Sequence, residues 1–266
     1  MTASPAELSR AGAEIDRLAA TPRLLVALDF DGTLAPLLDE PMDARMTDDA
    51  RDAVLALTAA PETVVAFVSG RSLHDLRVIG EHDDDSPILL AGSHGAEFWS
   101  PGVGAAAAPD DAGDEALRDR LRVEAEQIIA DLDGVWIEPK TFGFAVHSRL
   151  ASPDDADRSR DAIDGMVVHE APHWRRRTGH NIVEYAFRHE GKDTAVAALR
   201  ERVGATAVLF AGDDVTDEDA LRSLGAGDLG VHVGAGETAA TISVPDIAAL
   251  ARLLRALAER RVAGRE

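Results

Sequence analysis

The sequence predicts an α/β protein with a Rossmann-like, parallel-sheet core, interrupted along the chain by an inserted α+β unit built on an antiparallel sheet. Three observations carry this. Short apolar runs alternate with helical stretches at both ends of the chain, as buried parallel strands and crossover helices do. Between them, paired strand-like runs follow one another with no helix in between. Polar clusters end four of the outer apolar runs, where open α/β sheets bind ligands. The expected division is a discontinuous core over 1–108 and 188–266 and an insert over 109–187.

In chain order, an amphipathic helix over about 5–20 precedes the apolar run 24–30, whose LLVAL reads as a fully buried strand ending in Asp-Phe-Asp-Gly-Thr. Thr47 caps a helix to about residue 58, with Asp48 and Asp49 in the first turn, where the helix dipole favours acids. A second strand over 63–68 ends in Ser69-Gly70-Arg71, and a third over 87–91 ends in Gly-Ser-His-Gly-Ala-Glu. Residues 101–113, rich in Gly, Ala, Pro and Asp, read as a linker, with an Ala-rich patch near 105–108. The insert then reads as a helix (about 114–132), strands over 135–138 and 143–149, a helix (about 153–165), and strand-like runs over about 166–177 and 181–187. Its helices are expected on one face of its sheet. After Gly191 the alternation resumes with a helix to about 203 and a strand over 207–211, which ends in Gly212-Asp213-Asp214-Val215-Thr216-Asp217. A short helix, a strand over 230–233 and a final helix from about 245 complete the chain. Ile247, Leu250, Leu254 and Leu257 form the apolar stripe of that last helix.

Composition narrows the function. With 48 acidic and 27 basic residues, a formal charge of −21, the chain is unsuited to broad binding of nucleic acid or an anionic membrane. A small anionic substrate stays open, because a metal ion and a few local cations reverse the field within one cleft. Cysteine is absent, which excludes disulfides, thiolate zinc sites and a cysteine nucleophile, and fits a reducing cytoplasm. The first residues lack the apolar stretch of a signal peptide, and no apolar run is long enough to span a membrane. A cytoplasmic location is therefore expected.

The strand-end clusters carry the chemistry. One Asp after a strand commonly forms a turn or caps a helix. Asp29 and Asp31 stand two residues apart beside Gly32 and Thr33, a pairing that suits division of labour: one carboxylate attacks phosphorus while the second moves the proton. Ser69-Gly70-Arg71 offers a hydroxyl and backbone N–H groups to phosphate oxygens, although a serine cap followed by glycine is common in structural roles too. Lys192 supplies a cation at the start of a core helix. Asp213, Asp214 and Asp217 lie within five residues, and such acids repel unless a cation or solvent intervenes. Mg²⁺ prefers one or two carboxylates with water and phosphate oxygen.

Asp-Phe-Asp-Gly-Thr-Leu at 29–34, Ser-Gly-Arg at 69–71, Gly-Lys at 191–192 and Gly-Asp-Asp-Val-Thr-Asp-Glu-Asp at 212–219 resemble, in order, the four motifs of the haloacid dehalogenase phosphatases. The last string is similar to that of the trehalose-6-phosphate phosphatases. Within the insert, Ile137-Glu138-Pro139-Lys140 and His147-Ser148-Arg149 resemble that family's Glu-x-Lys and His-x-Arg patterns, and the likeness extends from about 22 to 255. It implies a haloacid dehalogenase core with an inserted cap. It also implies an aspartyl-phosphate on Asp29, Asp31 as general acid and base, and Ser69 and Lys192 on the phosphoryl oxygens. Mg²⁺ would be held by Asp29, the Asp31 carbonyl and Asp213, with Asp214 and Asp217 in support. Thr33, Gly70, Arg71 and His94 would complete the core's substrate contacts, and Glu138, Lys140, Arg149 and Glu184 would read the sugar. Two departures stand out. The family's usual Glu-Val-Arg-Pro reads Glu184-Tyr185-Ala186-Phe187, which loses its arginine unless Arg188 substitutes, and Asp193 follows Lys192 in place of the commoner glycine.

The implied reaction is hydrolysis of trehalose 6-phosphate to trehalose and phosphate, with a trehalose-6-phosphate synthase as the pathway partner. The alternatives are another capped sugar-phosphate phosphatase, of the sucrose-phosphate or mannosyl-phosphoglycerate type, or a non-catalytic module that binds a sugar phosphate. A module of that kind is expected to have lost Asp29, Asp31 or Asp213, and all three are present.

Overall fold

A computed structural model describes residues 5–106, 111–179 and 181–264, with side chains from residue 11 onward. Part of the Ala-rich patch and the expected boundary at 108/109 lie outside the described residues. The chain divides into two units, Met1–Ala106 with Glu190–Glu266, and Ala107–His189.

In the first unit, α1 (Pro5–Ala19) leads into β1 (Leu24–Leu28), all five residues of which are buried. Thr47 caps α2 (Asp48–Ala59), its side chain accepting from the Ala50 N–H. Then come β2 (Thr63–Val68), α3 (Leu73–Ile79), β3 (Leu89–Gly92), β4 (Glu97–Ser100) and β5 (Gly104–Ala105). The second unit supplies α4 (Ala112–Ile128), β6 (Trp136–Lys140), β7 (Gly143–His147), α5 (Pro153–Glu170), β8 (Arg175–Gly179) and β9 (Ile182–Ala186). The chain returns to the first unit with α6 (Lys192–Val203), β10 (Ala207–Gly212), α7 (Asp217–Ser223), β11 (Leu229–Val233), β12 (Ile242–Val244) and α8 (Ile247–Ala263).

The first unit's eight-stranded sheet has the order β12-β11-β10-β1-β2-β3-β4-β5, parallel from β12 to β3 and antiparallel beyond. Alternation splits the apolar strand β1 between two layers. Leu24, Val26 and Leu28 pack with residues of α1, α2, α3 and α8, while Leu25 and Ala27 pack with residues of α6 and α7. Both sheet faces are covered, which is why β1 and β10 read as unbroken apolar runs. Arg261, buried near the end of α8, donates to the carbonyls of Leu18, Ala19, Thr21, Pro61 and Glu62, tying the end of α1 to the loop before β2.

The second unit is a four-stranded antiparallel sheet of order β6-β7-β9-β8. Phe144, Val146, Val183 and Tyr185 on one face join Leu121 and Ala125 of α4 and Ile163, Met166 and Val167 of α5 in a core of their own. The other face is polar. Cross-strand register aligns Glu138, Ala145, Glu184 and Arg177 in one row, and Lys140, Gly143, Ala186 and Arg175 in the next.

Three expectations about elements need correction. Within 101–113, residues 104–105 form β5, paired with β4 through a turn in which Gly102 and Gly104 take positive φ; two residues are too few for a periodic signal. Residues 166–170 extend α5 instead of opening a strand, because Met166 and Val167 continue the buried stripe of Ser159 and Ile163 at helical spacing. The expected step from the strand over 230–233 to the final helix leaves out the short edge strand β12.

Candidate functional site: an acidic cluster at the strand ends

Parallel strands β1, β2 and β10 end at one edge of the sheet, and the loops leaving them carry the expected clusters. Asp29 follows β1 directly, its N–H donating to Ala211 O at 2.9 Å, so the last turns of β1 and β10 are bonded where the acids begin. Lys192 opens α6 and reaches back with Nζ 2.6 Å from Asp29 Oδ1 and 2.6 Å from Asp217 Oδ1. Asp29, Lys192 and Asp217 are 4%, 3% and 0% exposed, so this is a desolvated ion network and not a surface pair.

The remaining oxygens have distinct fates. Asp217 Oδ2 accepts from the Asp213 N–H (3.1 Å) and the Asp214 N–H (3.0 Å), so Asp217 is spent on shaping the loop and holding the lysine. The Thr33 hydroxyl lies 3.0 Å from Asp213 Oδ1 and 3.4 Å from Asp29 Oδ2. Gly32, at φ 78°, allows the approach: a Cβ there would sit 2.0 Å from Asp213 Oδ2. Burial, and next the charge of Asp217, push Asp29 well above the ordinary carboxylate range against the pull of Lys192. Burial and the same Asp217 charge push Asp213 up to about 6. Burial opposes the charge on Lys192, but the two carboxylates outweigh it and raise its pKa.

One ammonium thus faces three clustered carboxylates, and oxygens of Asp29, Asp213 and Asp217 lie within 4.8 Å of one another. This donor set fits a hard divalent cation. Asp217 accepts from Lys192 and from two backbone N–H groups, which leaves Asp29 and Asp213, with the shared Thr33 hydroxyl, as the better side-chain ligands. Asp214, expected in support, has an exposed side chain outside this triad and contributes its backbone N–H to Asp217.

The Asp31 carboxylate takes a different partner. Arg71 donates to it through Nε (2.7 Å, Oδ2) and Nη2 (2.7 Å, Oδ1), a two-bond fork between the loops after β1 and β2. Ser69, buried at the end of β2, accepts from the Arg71 N–H through its hydroxyl oxygen, which leaves its O–H as a donor. The His94 ring packs on Gly70, where a Cβ would lie 2.6 Å from it. Ser93 and His94 both hold φ near +50°, at 47° and 57°, a strained pair of a kind that clusters at functional sites. The Glu97 carboxylate braces this turn through the Ser93 hydroxyl and the Leu73 N–H.

On the polar face of the second unit, Glu138 accepts from Lys140 Nζ at 2.7 Å and contacts His147 Nε2 at 2.7 Å. His147 stacks on Trp136 at 4.6 Å, and the Arg149 guanidinium lies 5.4 Å from the Trp136 ring centre. Burial works against the Glu138 charge, yet His147 and Lys140 prevail and hold its carboxyl down to about 2. Glu184 shares the face, one strand beyond Ala145. The Arg188 guanidinium is bound to Asp111 and lies over Phe142. Arg175 and Arg177, absent from the sequence expectations, stand opposite Ala186 and Glu184. In the string Arg175-Arg176-Arg177, period-two alternation would have assigned the outer pair to one face, had the strand boundary been known.

The trehalose-phosphatase family model matches residues 27–246. A trehalose-6-phosphate phosphatase of Escherichia coli is 29% identical over 229 residues, covering 82% of each chain. A Mycobacterium tuberculosis protein described as an uncharacterized glycosyl hydrolase is 33% identical over 238 residues, covering 83% of this chain; this chain spans 17% of that protein's length. Among solved structures, the C-terminal domain of Candida albicans trehalose-6-phosphate phosphatase superposes with a TM-score of 0.78 at 20% identity, covering 94% of this chain and 96% of that one. That likeness speaks for the fold alone. The family model, covering most of the sequence, decides the membership: the chain belongs to the trehalose-phosphatase family.

Proposed function

We propose that this chain hydrolyses trehalose 6-phosphate to trehalose and phosphate, using Mg²⁺ and an aspartyl-phosphate on Asp29. The observation that carries the reading is the buried lysine shared by Asp29 and Asp217 with Asp213 alongside. Lys192 occupies Oδ1 of Asp29 and leaves Oδ2 for attack on phosphorus. As the Oδ2–P bond forms, the bond from phosphorus to the sugar O6 breaks, and Asp31 gives that oxygen its proton. Asp31, now a carboxylate, takes a proton from water, whose oxygen attacks phosphorus and releases phosphate and free Asp29. The Ser69 hydroxyl and Lys192 hold phosphoryl oxygens. Asp29, Asp213 and the Asp31 carbonyl would hold Mg²⁺, which supplies charge that offsets the repulsion between carboxylate and phosphate.

The second unit reads the leaving group. Glu138, Lys140, Arg149 and Glu184 give the hydroxyl-rich sugar both acceptors and cationic donors. A cytoplasmic location and a synthase that supplies the substrate complete the proposal; among the described residues no helix is long and apolar enough to cross a membrane.

The test is phosphate release from a panel of sugar phosphates with Mg²⁺ present. Trehalose 6-phosphate is expected to give the highest kcat/KM. Preference for sucrose phosphate or mannosyl-phosphoglycerate would replace the substrate and keep the chemistry. Tight binding without turnover of any member would establish the non-catalytic module.

A further inference from the structure

The sequence alone assigns Arg71 to the substrate. The structure places its guanidinium on Asp31, and we propose that Arg71 is the positioning residue of the proton-transfer acid, working through Asp31 and not through the phosphoryl group. This rests on the proposed function, in which Asp31 handles the proton.

A lone Asp side chain on a loop has two free torsions and no preferred direction. The Arg71 fork, 2.7 Å to each oxygen, fixes both the direction and the plane of the carboxylate. Arg71 is itself held: its N–H bonds Ser69 Oγ at 3.2 Å and its carbonyl accepts from the Ser93 N–H at 2.6 Å. The loop after β2 therefore sets the geometry of the acid on the loop after β1.

The experiment compares Arg71→Lys and Arg71→Met with the wild-type chain, with Mg²⁺ present, on trehalose 6-phosphate and on p-nitrophenyl phosphate. The alkoxide of a sugar is a poor leaving group and needs the proton; the nitrophenolate departs without it. Lysine keeps the charge but offers no planar fork, so kcat/KM on the sugar phosphate should fall about tenfold, and further with methionine. The aryl phosphate should lose several-fold less, and inhibition by inorganic phosphate should change less than about twofold, because the phosphoryl contacts are untouched. In an Asp31→Ala background, Arg71→Lys should cost nothing more, since a residue acting through Asp31 has nothing left to position. Equal losses on both substrates with weakened phosphate inhibition would assign Arg71 to the phosphoryl group and overturn the proposal. A full additional loss in the Asp31→Ala background would do the same. Any alkyl phosphate that the wild-type chain turns over can serve, so a different sugar specificity leaves this test intact. A wild-type chain inactive on every phosphomonoester would overturn the function and this role together.

Discussion

In the core, two carboxylates share one lysine with a third carboxylate beside them; in the insert, one carboxylate stands between a lysine and a histidine. The residue chemistry is the same and the electrostatic outcome is opposite. Asp29 and Asp213 are pushed up by burial and by their own crowding, while Glu138 is held down to about 2 by its bonds to His147 and Lys140. An undercompensated cluster has an unmet need for positive charge, and a metal answers it. A compensated carboxylate keeps its charge at every ordinary pH, which suits reading hydroxyl groups. Under the proposed function, the contrast separates a unit suited to reaction from a unit suited to recognition.

The largest break in this comparison is Asp29→Asn. The amide retains shape but cannot attack phosphorus, so turnover should fall on the order of 10³-fold or more while the protein stays folded. Phosphate release at wild-type rates from a folded Asp29→Asn protein would end the mechanism.

Next comes the metal. Chelation should abolish activity and Mg²⁺ should restore it, whereas Ca²⁺ should inhibit, because it favours higher coordination numbers and misplaces the nucleophile. A readout independent of turnover is the unfolding transition: at 100 times its Kd, Mg²⁺ should add about 2.7 kcal/mol of stability. Asp213→Asn should remove that gain. Full activity in excess chelator would show that the crowded carboxylates need no cation.

On the insert, Glu138→Ala or Arg149→Ala should lower kcat/KM for trehalose 6-phosphate roughly ten- to hundredfold, the cost of about 1.5–3 kcal/mol for a lost charged hydrogen bond. Hydrolysis of a small generic phosphomonoester should change far less. Arg177→Ala sharpens the point, since it alters the row that joins Glu138 to Glu184 without touching the core. Losses shared equally by both substrates would place these residues outside sugar recognition.

The smallest effect concerns pH. The Glu138 pKa is about 2 in the folded protein against 4.5 for the free side chain. A carboxyl depressed on folding contributes stability that is present above the unfolded value and is lost as pH falls through the folded one. The insert should therefore lose stability between about pH 4.5 and 2, and Glu138→Gln should flatten that part of the curve. Partial exposure screens the interaction, so the difference should stay under ~1 kcal/mol. An unchanged acid limb in the variant would mean that solvent, and not Lys140 and His147, sets the Glu138 charge.

Legibility differed between these regions for physical reasons. Lys192 is named by a motif, but which oxygen it takes depends on β1, β10 and α6 packing together across 163 positions of sequence. Asp214 and Asp217 look alike in the acidic string. Only the turn distinguishes them, because Asp217 at the start of α7 can reach back to two N–H groups while Asp214 faces outward. Arg188 is the nearest arginine in sequence to the altered family string, and Asp111 captures it, whereas Arg175 and Arg177 reach the polar face from a neighbouring strand.

By itself, the sequence determined the alternation of strands and helices, the interruption by a second unit, and the placing of Asp29, Ser69, Lys192 and Asp213 at the ends or starts of core elements. These follow from local periodicity and local residue chemistry, which a linear chain carries in full. Tertiary structure alone decided the partner of each charge: Arg71 to Asp31, Lys192 between Asp29 and Asp217, and Glu138 between Lys140 and His147. A charged side chain can bond any opposite charge within reach, and reach is set by the packing of elements distant in the chain.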